Sequence, residues 1–168
     1  MRMFFALATL LFTSMPFAAA ADPVVVPAVD YSRYVGFWYE IGHYPNFFQT
    51  ECVRSTAEYA ALEDGRVSVL NTCYREEKSP TSIKGVAYAE NAAEPAKLKV
   101  DFGLPFLGDY WIIDLDPEYQ WAVVSGPGKK SLFILARQAP MSDAVLQPIL
   151  ARLAAQGFDL DKIIYDKY

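Results

Sequence analysis

The chain has 168 residues, of which 53% are hydrophobic, 21% charged and 15% aromatic, which suits one folded domain and excludes a disordered chain. With 15 Lys+Arg against 20 Asp+Glu the formal net charge is −5, and without a basic run a nucleic-acid binder is excluded. One His and two Cys cannot build a structural zinc site without carboxylates, so neither a metal nor a cofactor is expected.

Met1-Arg2-Met3 is a short positive start, Phe4 to Phe12 an apolar run, and Ala18-Ala19-Ala20 a small-residue stretch suited to cleavage. Residues 1–20 are therefore expected to be a cleaved signal peptide, with a single domain over 21–168. No Cys follows the apolar run, so no lipid anchor on cysteine is expected. The protein is expected to be exported by the signal peptide and to be periplasmic or secreted, either free or associated with the outer membrane. In an oxidising compartment Cys52 and Cys73 should pair.

Strands are predicted at 36–43, 53–61, 66–74, 82–90, 96–102, 109–115, 120–125 and 131–137. Turn clusters separate them: Glu63-Asp64-Gly65, Ser79-Pro80, Asn91 to Pro95, Asp116-Pro117 and Gly126-Pro127-Gly128. In the fifth run Leu98, Val100 and Phe102 alternate with Lys97, Lys99 and Asp101. Ser142 can cap a helix running to about Gln156, with Val145, Leu146, Ile149, Leu150 and Leu153 on one face and Gly157 just past its end. A last short strand is predicted at 163–165. The short connections favour antiparallel neighbours, so the fold class is all-β: an eight-stranded up-and-down barrel with a C-terminal helix outside and a short final strand. A two-sheet sandwich is the competing architecture. Such a barrel has room for one small ligand.

Three runs resemble the lipocalins. Gly36-Phe37-Trp38-Tyr39-Glu40-Ile41 matches their G-x-W-Y opening, Asp116-Pro117-Glu118-Tyr119 resembles their second motif, and Ile134-Leu135-Ala136-Arg137 resembles the third. The stretches Tyr110-Trp111-Ile112-Ile113, Ala122-Val123-Val124 and Gln156-Gly157-Phe158-Asp159 carry the look of the bacterial outer-membrane lipocalins and apolipoprotein D. The similarity spans about residues 29–168. It implies a carrier of fatty acids or lysophospholipids, with a role in envelope lipid storage or transport. A pigment or tetrapyrrole is a second ligand class, suggested by the aromatic content.

In a meander the first strand starts, and the eighth ends, at the same end of the barrel. That end holds Trp38 and Arg137 and is read as a sealed base, with the guanidinium stacked on the indole. The opposite rim holds Cys52 and Cys73, and also Phe47, Phe48, Leu104, Phe106 and Leu107. These apolar tips either fold back over the mouth or stay exposed as a peripheral membrane contact. Alternation sends Tyr59, Val100, Phe102, Tyr110, Phe133 and Leu135 inward, as cup lining or as core. His43 is read as a surface or rim residue, with no Ser or free thiol placed beside it. No hydrolase elbow, P-loop or dinucleotide fingerprint occurs. The protein is read as a carrier and not an enzyme, and a lipid isomerase would need the free thiol that a disulfide removes.

Overall fold

A computed structural model describes residues 21–168; the expected signal peptide at 1–20 lies outside the described residues. A one-turn helix, α1 (Tyr31–Tyr34), precedes eight strands: β1 (Gly36–His43), β2 (Arg54–Ala61), β3 (Val67–Tyr74), β4 (Thr81–Ala89), β5 (Lys97–Asp101), β6 (Gly108–Leu115), β7 (Trp121–Ser125) and β8 (Leu132–Ala136). Helix α2 (Asp143–Ala155) and strand β9 (Ile164–Tyr165) follow. All eight main strands fall within one residue of their expected bounds, because alternation and turn residues mark both their faces and their ends.

The sheet runs β2-β3-β4-β5-β6-β7-β8-β1-β9, and β1 also pairs with β2, which closes the barrel. Every neighbour is antiparallel. Closure removes the unpaired edges that an open sheet would expose.

Two apolar clusters lie on opposite faces of this one sheet. The inner cluster holds Trp38, Tyr59, Leu98, Val100, Ile112, Val124 and Leu135. The outer cluster joins Ile41, Val123 and Ile134 to Ile149 and Leu153 of α2. Ser142 occupies the N-cap position, yet its carbonyl, and not its hydroxyl, receives the first-turn N–H groups of Val145 and Leu146. The buried stripe of α2 is narrower than expected, for Val145 is exposed. Gly157 follows the helix at φ +80°, where a Cβ would be strained.

Two irregularities interrupt the alternation. A β-bulge lies between Glu40 and Gly42 in β1, and a second between Ile112 and Asp114 in β6. Direct pairing of β1 with β2 spans Gly36–Tyr39 opposite Thr56–Tyr59. Beyond it the C-terminal tail lies between the two strands: Asp166 N–H donates to Ile41 O at 3.1 Å and Lys167 N–H to Val53 O at 2.9 Å.

Candidate functional site

The base is closed by three groups that interlock. Trp38 is fully buried, and its Nε1 donates to Tyr34 O at 2.8 Å. The Arg137 guanidinium lies 3.7 Å from the Trp38 ring centroid. Its Nη1 donates to Phe37 O, and its Nη2 to the carbonyls of Arg33, Tyr34 and Val35, at 2.8–3.1 Å. The end of α1 thus finds partners for carbonyls that no further turn would satisfy. Gly36 makes this approach possible. Its φ is +101°, and a Cβ would sit 3.3 Å from Arg137 Nη1. Helix α1 escaped the sequence reading, since one turn is too short to show a helical period. Asp30, whose side chain accepts from Ser32 N–H, is the one local signal for it.

Above the base the interior is tightly filled. Tyr34 and Tyr110 hydroxyls are 2.7 Å apart, and Tyr110 donates to Tyr59 at 3.0 Å. Burial pushes all three phenols well above their ordinary range, so they stay neutral. Tyr31, Tyr34, Tyr59, Tyr110, Leu98 and Ile112 are among the walls of a cavity of about 20 Å³, room for about one water.

Towards the mouth the inner face carries two phenylalanines. Phe102 follows the last residue of β5, and Phe133 is the second residue of β8; both are half-buried against the inner cluster. Phe102 lies across Gly85 of β4, where a Cβ would stand 2.6 Å from its ring. Of the six cup residues read from sequence, all pack with the inner cluster. Tyr59, Val100 and Leu135 are buried, and Phe102, Tyr110 and Phe133 are partly so. A larger groove of about 270 Å³ lies outside, lined by charged residues such as Glu94, Lys97, Lys99 and Asp109. Those four charges pair with one another as Lys97–Glu94 and Lys99–Asp109.

At the rim Cys52 and Cys73 form a disulfide, with Cα atoms 5.3 Å apart. The apolar tips do not fold back. Phe47 is 86% and Phe106 is 56% exposed, with Phe48 and Leu107 exposed beside them; Leu104 is half-buried. The Phe48 ring lies 5.8 Å from Phe47 and 6.3 Å from Phe106, which gathers two loops into one aromatic patch.

His43 departs from the sequence reading. It is 3% exposed and not a surface residue. Strict alternation from Trp38 would send it outward. The extra residue of the β1 bulge reverses the parity, so His43 pairs with Phe133 and shares its side of the sheet.

Comparison with known proteins agrees with this geometry. The profile of the lipocalin-like domain matches residues 29–167. Outer membrane lipoprotein Blc of Escherichia coli (strain K12) is 39% identical over 142 residues, covering 84% of this chain and 80% of that protein. Apolipoprotein D of Mus musculus is 31% identical over 151 residues, covering 84% and 78%. Insecticyanin from the tobacco hornworm Manduca sexta superposes with a TM-score of 0.70 at 18% identity, covering 88% of this chain and 84% of that one. This last likeness is one of fold.

Proposed function

The chain belongs to the lipocalin family, and on that premise we propose that it carries one acyl lipid, a fatty acid or a lysophospholipid, in the mouth half of its barrel. The observation that carries the reading is the contrast inside the barrel. The base half is built around three hydrogen-bonded tyrosines, while Phe102 and Phe133, nearer the mouth, are apolar rings only half-buried against the inner cluster. An acyl chain laid against them removes its own surface and theirs from water, at about 0.8 kcal/mol per buried CH₂ before association costs. Val100 and Leu135 form the wall beneath these two rings, and Tyr59 and Tyr110 the floor.

The relatives named outer membrane lipoprotein support a place outside the cytoplasm, where the Cys52–Cys73 bridge is stable. The exposed patch of Phe47, Phe48, Phe106 and Leu107 lies on two loops of the rim and suits shallow contact with a lipid surface, from which a ligand would enter. Catalysis is no part of this reading. Both cysteines of the chain are in the bridge, so a thiol-based isomerase has no nucleophile.

Native mass spectrometry of the purified protein, followed by lipid extraction, tests the proposal. One acyl lipid per chain is expected, either retained or taken up on addition. A chain that stays ligand-free with both lipid classes would overturn it, and a visible absorption band would move the assignment to a pigment.

A further inference from the structure

The inward turn of His43 brings it against two carboxylates from opposite ends of the domain. Nδ1 stands 2.9 Å from Glu40 Oε1 and 3.4 Å from Asp166 Oδ1. The three side chains are nearly fully buried, and ligand atoms from all three lie within 4.8 Å of one another. Neighbours fix both carboxylates. Gln49 Nε2 donates to Glu40 Oε1 at 2.7 Å and to Ser55 Oγ at 2.9 Å, and Ser55 N–H donates to Asp166 Oδ2 at 2.6 Å. No Lys or Arg among the described residues makes an ion pair with either carboxylate.

An ordinary ion triad would aim the imidazole N–H along one carboxylate oxygen. Here Nδ1 is buried and makes no hydrogen bond, although two oxygens flank it. Flanking at this range is how atoms sharing one small cation are arranged, since each points at the ion and not at its fellow ligands. Two buried carboxylates with no Lys or Arg partner among the described residues also favour positive charge at this point. Even a charged imidazole leaves the trio with a net negative charge. A divalent cation with a neutral imidazole brings it to zero.

We propose that Glu40, His43 and Asp166 bind one zinc-class divalent cation, which ties the C-terminal tail to the barrel wall between β1 and β2. One imidazole nitrogen and two carboxylate oxygens suit zinc and its transition-metal neighbours better than Mg²⁺ or Ca²⁺, which take all-oxygen sets. The sequence supplied the lone histidine. The carboxylates that complete the set are brought to it by the β1 bulge and by the tail, which no local spacing shows. The site is independent of the lipid reading and would stand if that failed.

The single histidine makes the test direct. The chain, without added histidines and freed of metal by chelation, is labelled with ¹⁵N-histidine and titrated with Zn²⁺. The Nδ1 resonance should move, with one equivalent bound by calorimetry, while Mg²⁺ in the same excess leaves it in place. Asp166→Asn keeps an oxygen for Ser55 N–H, and His43→Gln keeps a polar side chain. Each should weaken Zn²⁺ binding about 100-fold or more, because residues that merely orient metal ligands already cost about 10–100-fold. Thermal melts of the metal-free variants check that they fold. An unmoved Nδ1 in the wild-type chain overturns the proposal, as does a folded variant of either kind that binds Zn²⁺ as tightly as wild type.

Discussion

Aromatic side chains crowd both ends of the barrel, but the two ends treat them differently. At the base Trp38 is wholly buried, with its N–H on Tyr34 O and Arg137 across its face. At the rim Phe47 and Phe106 stand in solvent, touching other rings and little else. Residue type does not separate these environments. What separates them is what the backbone offers. Helix α1 ends over the barrel with free carbonyls, and Arg137 binds those carbonyls and the indole together. The rim loops carry no such covering element. One end is therefore a rigid stopper, and the other is free to meet a ligand or a surface.

The largest effect should come from breaking the stopper. Trp38→Ala should cost about 3–5 kcal/mol, as large aromatic truncations in cores do, read by chemical denaturation. If stability were unchanged, the base would not be the stopper described. The rim has one rigid point to set against it. Replacing Cys52 and Cys73 together by Ser should cost about 3 kcal/mol for the 21-residue separation that the bridge spans. Lipid affinity should fall less than stability, since the bridge pins the mouth without lining the cup. Gly36→Ala asks the base a finer question. A Cβ at φ +101° beside Arg137 should cost about 1–3 kcal/mol, and Gly65→Ala, at φ +82° with nothing near its Cβ, should cost less.

These base features differ in how far the sequence foretold them. Trp38 and Arg137 could be paired in advance because in a closed meander the first strand starts, and the eighth ends, at the same end of the barrel. The six inward residues followed from period-two alternation. That rule fails where its premise fails. The bulge at Glu40–Gly42 turned His43 inward, and Asp166 reaches it from a tail whose course depends on tertiary packing. Helix α1 was too short to leave a period. Folding back is the commoner course for apolar rim tips, yet Phe47 and Phe106 stay exposed, an outcome the residue types alone do not decide.

The smaller predictions probe the mouth. Phe133→Ala should weaken fatty-acid binding while lowering the melting temperature less than Trp38→Ala, because a half-buried ring has less packing to lose. Phe133→Asp should suppress binding further, since an acyl chain cannot satisfy a buried carboxylate. A fluorescent fatty-acid titration paired with melts reads both. Phe47→Ser with Phe106→Ser should change stability by no more than about 0.5 kcal/mol, as exposed substitutions do. The same pair should reduce co-sedimentation with phospholipid vesicles. Undiminished co-sedimentation would show that the patch does not touch lipid.

The central functional claim is that the ligand lies inside the mouth half of the barrel. A fatty acid carrying a photoreactive group near its tail tests it directly, with the labelled peptides identified by mass spectrometry. The account predicts label on the β5 and β8 segments that carry Val100, Phe102, Phe133 and Leu135, competed away by unlabelled fatty acid. Label confined to α2 or the outer wall, or unchanged by competitor, would contradict it.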